Sequence, residues 1–158
     1  AVDATAGLGQ DSLLLAAAGF TVTMFESDPV IAALLQDALD RAATDPRLEG
    51  LVARMTLVRA DSIAALPMVS PVPDVVYLDP MFPERTKSAA VKKKFQLLHH
   101  LESPCEDQEE LLRAALLAHP RKVVVKRPVK GPHLAGVKPS HTVAGKAVRY
   151  DCIVPPRP

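Results

Sequence analysis

Short apolar segments that favour β-strands alternate with helix-like segments along most of this chain, and this alternation constrains the fold most strongly. Strands that alternate with helices build a mostly parallel sheet with helices on both faces. The sequence therefore predicts an α/β fold. The predicted strands are residues 1–3, 20–25, 55–59, 74–78 and 123–125, and the predicted helices are 11–18, 28–42, 88–101 and 107–118.

The C-terminal part of the chain has a different pattern. Residues 142–154 are predicted to form a closing hairpin with a bend near Gly145, which would make the sheet mixed. Residues 44–52 are predicted to form a loop. The length of 158 residues fits one domain. The chain opens with Ala1-Val2-Asp3 rather than with Met, and we expect an upstream segment that includes the start of the first strand.

Composition and cysteine usage limit the classes of protein that fit. No apolar run approaches the roughly 18 residues of a membrane span, so no membrane association is expected. Cys105 and Cys152 are the only cysteines and lack metal-ligand spacing, which suits a reducing cytoplasm. His99 and His100 would point about 100° apart on a helix and cannot easily share one metal. We therefore expect a cytoplasmic protein without a metal site.

The first predicted strand leads into a glycine-bearing turn, Asp3-Ala-Thr-Ala-Gly7-Leu-Gly9-Gln10-Asp11. Two glycines let a ligand approach the backbone closely, and the following helix presents free N–H groups. A dinucleotide fingerprint would need a third glycine where Ser12 stands, and Asp11 would repel a pyrophosphate. A zwitterionic amino-acid tail suits this turn better. The alternative is an ordinary strand-to-helix turn capped by Asp11.

Two further strand ends carry polar residues that could bind a nucleoside. Glu26 ends the second strand, where a carboxylate can accept both hydroxyls of a ribose. Asp61 and Ser62 follow the third strand, and Asp61 could accept a hydrogen bond from an adenine amino group. The alternatives are a solvated acid at Glu26 and a helix cap at Asp61. Ligands of open α/β sheets bind at the carboxyl ends of the strands, so we expect these side chains to converge.

The fourth strand ends in Asp79-Pro80-Met81-Phe82-Pro83, the most specific of the four signals. This segment resembles the Asp/Asn-Pro-Pro-Tyr/Phe motif of amino-group methyltransferases, which implies that it binds an exocyclic amine. An exocyclic amine is a poor nucleophile because its lone pair is conjugated into the ring. The Asp79 carboxylate and the Pro80 carbonyl can accept its N–H bonds and orient it, and Phe82 can stack on an extruded base. These three residues are the predicted catalytic residues. The alternative is a loop with a buried Phe82.

Four motifs together resemble the bacterial ribosomal RNA small subunit methyltransferase J family over residues 2–153. They are Asp-Ala-Thr-Ala-Gly-Leu-Gly, Val-Tyr-Leu-Asp-Pro-Met-Phe-Pro, Lys-Ser-Ala-x-Val-Lys-Lys and Val-Val-Val-Lys-Arg-Pro. The family methylates N2 of one guanosine near the 3′ end of 16S rRNA. It has an N-terminal region that this chain lacks, and its members often carry Arg at positions 10 and 27.

The resemblance implies a class I, Rossmann-like methyltransferase domain over residues 1–158, with S-adenosylmethionine as donor and S-adenosylhomocysteine as product. Its expected partner is 16S rRNA, the small ribosomal subunit or a precursor of that subunit. Together with the glycine turn, the resemblance predicts a cofactor site at Asp3, Gly7, Gly9, Gln10, Asp11, Glu26, Ser27, Asp61, Ser62 and Asp79.

Charge is distributed unevenly and suits a polyanionic partner. Residues 1–82 hold 11 acids and 4 bases (−7), whereas residues 121–158 hold 1 acid and 9 bases (+8). Phosphate contacts beside the fourth and fifth strands would position RNA over Phe82; the alternative is a solvated surface. The predicted RNA-binding residues are Arg85, Lys87, Lys92, Lys93, Lys94, Lys126 and Arg127.

Three other functions stay open from the residues alone. Asp79-Pro80 also fits methylation of adenine N6 or cytosine N4. A nicotinamide-dependent oxidoreductase is disfavoured by Ser12 and by the Asp79 motif. A non-catalytic RNA-binding module would keep its RNA affinity in Asp79→Ala, and the wild-type protein would show no methyl incorporation.

Overall fold

The structure, a computed structural model, describes residues 1–80 and 107–156. Its centre is a mixed sheet, and the described strands lie in the order β3-β2-β1-β4-β5-β7-β6. The α/β prediction is confirmed. The strands are β1 (Val2–Asp3), β2 (Val22–Glu26), β3 (Met55–Arg59), β4 (Val75–Leu78), β5 (Lys122–Pro128), β6 (His141–Ala144) and β7 (Val148–Ile153).

The directions of the strands explain where a site can form. Strands β3, β2, β1, β4 and β5 run parallel, so their carboxyl ends share one edge of the sheet. Strand β7 pairs antiparallel with β5 and β6 pairs antiparallel with β7, which confirms the predicted closing hairpin. Strands β2 and β3 lie on one side of β1, and β4 and β5 lie on its other side, so the strand order reverses between β1 and β4. α/β sheets open a crevice at such a position.

The helices begin and end at residues with clear local signals. Asp28 caps the second helix, because its side chain accepts hydrogen bonds from the backbone N–H groups of Val30 and Ile31, and Pro29 opens the first turn. Both roles were predicted. The described helices are α1 (Gln10–Ala17), α2 (Pro29–Ala42), α3 (Glu49–Val52), α4 (Ser62–Ala65) and α5 (Gln108–Leu117).

Two segments differ from the sequence prediction, and a third lies outside the residues that the structure describes. The expected loop at 44–52 contains the short helix α3, which follows a turn in which the carbonyl of Asp45 accepts from the N–H of Leu48 and of Glu49. Strand β5 runs to Pro128 rather than ending at Val125, because β7 pairs with it along that whole length. The predicted helix 88–101 lies outside the described residues.

Apolar side chains fill both faces of the sheet. On one face, Val76 and Leu78 of β4 pack with Leu111 and Ala115 of α5. On the other face, β2 packs against α1 and α2 through the cluster Ala6, Ala16, Val22, Met24 and Leu35. Helices therefore cover both faces, as predicted. None of the described helices is long and apolar enough to cross a membrane.

Candidate active site at the carboxyl ends of the strands

A cleft of about 240 Å³ opens at the carboxyl ends of β1, β2, β3 and β4. Segments that are distant in sequence meet here, as the strand-end argument predicted. The walls of the cleft include seven residues that the sequence analysis singled out, and their contacts with a ligand stay predictions. These residues are Gly7, Glu26, Ser27, Asp61, Ser62, Asp79 and Pro80.

Glu26 ends β2 on the cleft wall and is held by two backbone groups. Its Oε2 accepts from the N–H of Gly7 at 3.0 Å, and its Oε1 accepts from the N–H of Asp28 at 2.8 Å. Each oxygen of an ionised carboxylate can accept more than one hydrogen bond. The two backbone bonds therefore fix the carboxylate while leaving capacity for the vicinal hydroxyls of a ribose.

Asp61 and Ser62 form the part of the cleft wall that follows β3. Asp61 is exposed and caps α4, because its Oδ1 accepts from the N–H of Ile63 at 3.0 Å. The capping role considered from the sequence is thus present. It occupies Oδ1, and an adenine contact by the same carboxylate stays a prediction.

Asp79 lies on the cleft wall directly after β4. Its backbone N–H donates to Oγ1 of Thr5 at 2.7 Å, and its Oδ2 lies 2.9 Å from Nζ of Lys126. Burial raises the pKa of the Asp79 carboxyl above its ordinary value, and the ammonium of Lys126 offsets only part of this effect. The neighbouring carboxylate of Asp11 adds to the increase.

Lys126 joins Asp79 to a second acid on α1. Its Nζ lies 2.8 Å from Oδ2 of Asp11, and the hydroxyl of Tyr77 donates to the same oxygen at 2.9 Å. Burial lowers the pKa of Lys126, but its hydrogen bonds with the two carboxylates outweigh burial and raise the pKa overall. Burial and the Asp11 carboxylate likewise raise the pKa of the Tyr77 phenol. Tyr77, predicted to pack in the sheet, is buried and also anchors Asp11.

Four residues of the predicted cofactor site lie away from the cleft lining. Asp3 is 1% exposed, and its carboxylate accepts from the N–H of Thr5 and from Oγ of Ser12. Burial raises the pKa of Asp3 to about 6. These contacts hold the glycine turn against α1, and the expected ligand role of Asp3 stays a prediction.

Gly9 and the start of α1 also lie away from the cleft lining. Gly9 caps α1 with φ 74°, and a Cβ atom there would lie 2.8 Å from Cδ1 of Leu35. The missing side chain thus permits close packing against α2, and the expected approach of a ligand to Gly9 stays a prediction. Gln10 is exposed at the start of α1, and Asp11 contacts Tyr77 and Lys126.

Arg127, for which the sequence predicts a phosphate contact, has a buried side chain in the structure, and that contact stays a prediction. Alternate residues of β5 are buried, and the extension of the strand to Pro128 places Arg127 on the same face as Val123 and Val125. The side chain is 1% exposed, and its Nε donates to the carbonyl of Pro132 at 2.7 Å. Burial, together with the nearby cation of Arg149, lowers its pKa to about 10.

Sequence analysis missed two contributors to the site. Thr5 accepts the hydrogen bond that positions Asp79, and only its place in the glycine turn could have signalled this. Lys126 was assigned to RNA, although it follows a buried strand beside Asp79. The remaining predicted residues Phe82, Arg85, Lys87, Lys92, Lys93 and Lys94 lie outside the described residues. Within residues 1–80 and 107–156, no group of three or more His, Cys, Asp and Glu side chains could hold a metal ion.

Comparisons of the sequence with known proteins agree with this architecture. The family model "Putative SAM-dependent methyltransferase" matches residues 1–155. The chain is 51% identical over 156 residues to ribosomal RNA small subunit methyltransferase J of Thioalkalivibrio sulfidiphilus, an alignment that covers 97% of this chain and 61% of the relative. It is 46% identical to the protein of the same name from Neisseria gonorrhoeae, over 97% of this chain and 62% of the relative.

A solved structure shares the fold. A SAM-dependent methyltransferase from Neisseria gonorrhoeae superimposes with a TM-score of 0.81 and 39% identity, covering 98% of this chain and 60% of that protein. The chain therefore spans about three fifths of the length of the relatives it matches. The match to the family model over nearly all of its residues shows that the chain belongs to the SAM-dependent methyltransferase family.

Proposed function

We propose that this protein transfers a methyl group from S-adenosylmethionine to the exocyclic N2 of a guanosine in 16S rRNA. The observation that carries the proposal is the presence of Glu26 and Asp79 on one cleft, with the Pro80 turn directly after β4. The name shared by the relatives supports RNA of the small ribosomal subunit as the substrate. The substrate is naked rRNA, an assembly intermediate or the finished subunit, and the reaction belongs in the cytoplasm.

The residues of the cleft fit the donor. The fixed carboxylate of Glu26 suits the ribose hydroxyls, and Asp61 with Ser62 suits the adenine edge. Gly7 lines the cleft without a side chain, which leaves room for the amino-acid tail. When bound, S-adenosylmethionine supplies an electrophilic methyl group on its sulfonium and is left as S-adenosylhomocysteine.

Asp79 and Pro80 bind and orient the amine. The carboxylate of Asp79 and the carbonyl of Pro80 accept the two N–H bonds of the amine, which directs the nitrogen lone pair at the methyl carbon. With the donor bound, a new N–C bond would form as the S–C bond breaks, and the proton that the amine loses would pass to solvent. Phe82 stacks on the base, and Arg85 with Lys87 and Lys92–Lys94 contacts RNA phosphates. These last contacts are proposed from the sequence.

The proposal is tested by methyl transfer from labelled S-adenosylmethionine to 16S rRNA and to small subunits from a strain that lacks the gene. Nucleoside analysis of the product should give N2-methylguanosine. N6-methyladenosine or N4-methylcytidine would overturn the choice of base, and RNA binding without methyl incorporation would overturn the enzymatic proposal.

A variant addresses the role of Asp79 directly. Asp79→Asn should lower kcat by about 100-fold or more, the usual cost of removing a group that stabilises the transition state. The matched control is Asp74→Asn, because Asp74 is exposed just before β4. Wild-type kcat in Asp79→Asn would remove Asp79 from the mechanism.

A further inference from the structure

We propose that Lys126 is a positioning residue for methyl transfer, which holds Asp79 ionised and oriented toward the amine rather than binding RNA phosphate. The inference rests on the proposed function, because it concerns the same cleft. It assigns Lys126 to the catalytic centre through a chain of side chains from Tyr77 on β4 to Asp11 on α1, then to Lys126 on β5 and to Asp79.

The register of the sheet brings Lys126 to Asp79. Val125 of β5 pairs with Leu78 of β4, so the next residue along each strand is Lys126 on one side and Asp79 on the other. The Nζ atom lies 2.9 Å from Oδ2 of Asp79. A bond through Oδ2 constrains the carboxylate and presents Oδ1 as the acceptor for the amine.

The ammonium of Lys126 is poorly placed for a phosphate. Its side chain is 25% exposed, and its Nζ already contacts Asp11 at 2.8 Å and Asp79 at 2.9 Å. Asp11 is in turn held by the hydroxyl of Tyr77. A phosphate would have to displace a carboxylate from this network, and the two acids would repel it.

The charge balance around Asp79 explains why a cation is needed there. Acids near a half-buried carboxyl favour its protonated form, whereas a cation in contact favours the ionised form that accepts an N–H bond. Lys126 makes that contact. The titratable and charged groups that interact electrostatically with Asp79 from β1, α1, β4 and β5 are Asp3, Asp11, Tyr77, Lys126 and Arg127.

Two substitutions in the full-length protein should move the pH profile in opposite directions. Lys126→Met removes the cation. The pH at which kcat falls on the acid side of its pH profile should therefore rise by about one unit or more, a shift typical of an ion pair at this distance. On the acid side of the profile, kcat should therefore fall about tenfold. Asp11→Asn removes a negative neighbour of Asp79 and should lower the pH at which kcat falls.

Controls separate this effect from loss of folding and from loss of RNA binding. Lys122→Met removes an exposed cation at the far end of β5 and should leave the profile unchanged. Lys126→Arg keeps the positive charge, so its kcat on the acid side of the pH profile should stay close to that of wild type. Thermal unfolding and calorimetric titration with S-adenosylmethionine verify that each variant is folded, and rRNA affinity is measured over a series of salt concentrations.

The outcomes are distinct. Opposite shifts of the acid side of the pH profile, with unchanged rRNA affinity, support the inference. A Lys126→Met variant with the wild-type profile, or one that weakens rRNA binding at unchanged kcat, overturns it. If Lys126→Met fails to fold, Asp11→Asn and Lys126→Arg decide: a wild-type profile in Asp11→Asn overturns the inference. Absence of methyl transfer by the wild-type protein contradicts the proposed function instead.

Discussion

The carboxylate of Glu26 accepts a hydrogen bond from the backbone N–H of Gly7 at 3.0 Å, so that the end of β2 is tied to the turn after β1. This bond crosses the cleft edge between two parallel neighbours. A backbone donor and a carboxylate keep each other in place without help from a bound ligand. These two residues therefore preorganise the site that we propose for the methyl donor.

Glu26→Gln should weaken binding of S-adenosylmethionine about tenfold or more. The amide offers one acceptor oxygen where the carboxylate offers two, and its NH2 group faces a backbone N–H of Gly7 or Asp28. Calorimetric titration measures the affinity. Glu49→Gln on α3 is the matched control, because Glu49 is exposed and outside the cleft. Equal affinities in the wild type and in Glu26→Gln would exclude the proposed contact.

Gly9→Ala should lower the free energy of unfolding by about 1–3 kcal/mol, the cost of a side chain held in a strained backbone conformation. The residue has φ 74°, and the new Cβ would meet Cδ1 of Leu35, which is buried. Gly50→Ala is the control, since nothing lies within 4 Å of its added Cβ and it sits in α3. That change should be neutral or stabilising. Denaturant unfolding compares the two, and an equal effect of both would contradict the packing argument.

Asp3 should make folding less favourable as pH rises from about 4 to about 6. Its pKa is about 6 in the folded protein and 3.8 ordinarily, so in this window the folded state binds more protons than the unfolded state. The stability of Asp3→Asn relative to wild type should therefore increase by roughly 2 kcal/mol between pH 4 and pH 7. Urea unfolding at both pH values gives the difference. A pH-independent difference would show that Asp3 titrates as an exposed acid.

Arg127→Met should destabilise the fold by about 2–4 kcal/mol, the range for loss of a buried hydrogen-bonded charge. Its Nε bond to Pro132 fastens the loop after β5. The exposed Lys130 in that loop supplies the control, and Lys130→Met should change stability by less than about 0.5 kcal/mol. Unfolding gives the stability, and rRNA affinity of the folded variant should equal that of wild type. Lower rRNA affinity without lower stability would instead support the predicted contact between Arg127 and RNA phosphate.

The strand ends could be predicted from the sequence because apolar runs, helix caps and the carboxyl-end rule are all local or topological signals. Glu26 and Asp79 meet for that reason alone. The orientation of Lys126 and Arg127 could not be predicted, because β5 is extended by pairing with β7, which lies some twenty residues further along the chain. The Arg127 side chain then lies on the buried face of β5, and the Lys126 side chain contacts Asp79. The partner of Asp3 was hidden similarly, since Ser12 is brought to it only when α1 packs on the sheet.

The hydrogen bond from the backbone N–H of Asp79 to Oγ1 of Thr5 has a consequence for the order of events. Thr5 shares a short turn with Gly7. Under the proposed function, a displacement of that turn by the bound methyl donor would therefore be transmitted to Asp79, the residue that we propose accepts the amine. A donor that seats badly would misalign the acceptor as well. Loss of this hydroxyl, as in Thr5→Val, would uncouple the two halves of the pocket while each remains intact.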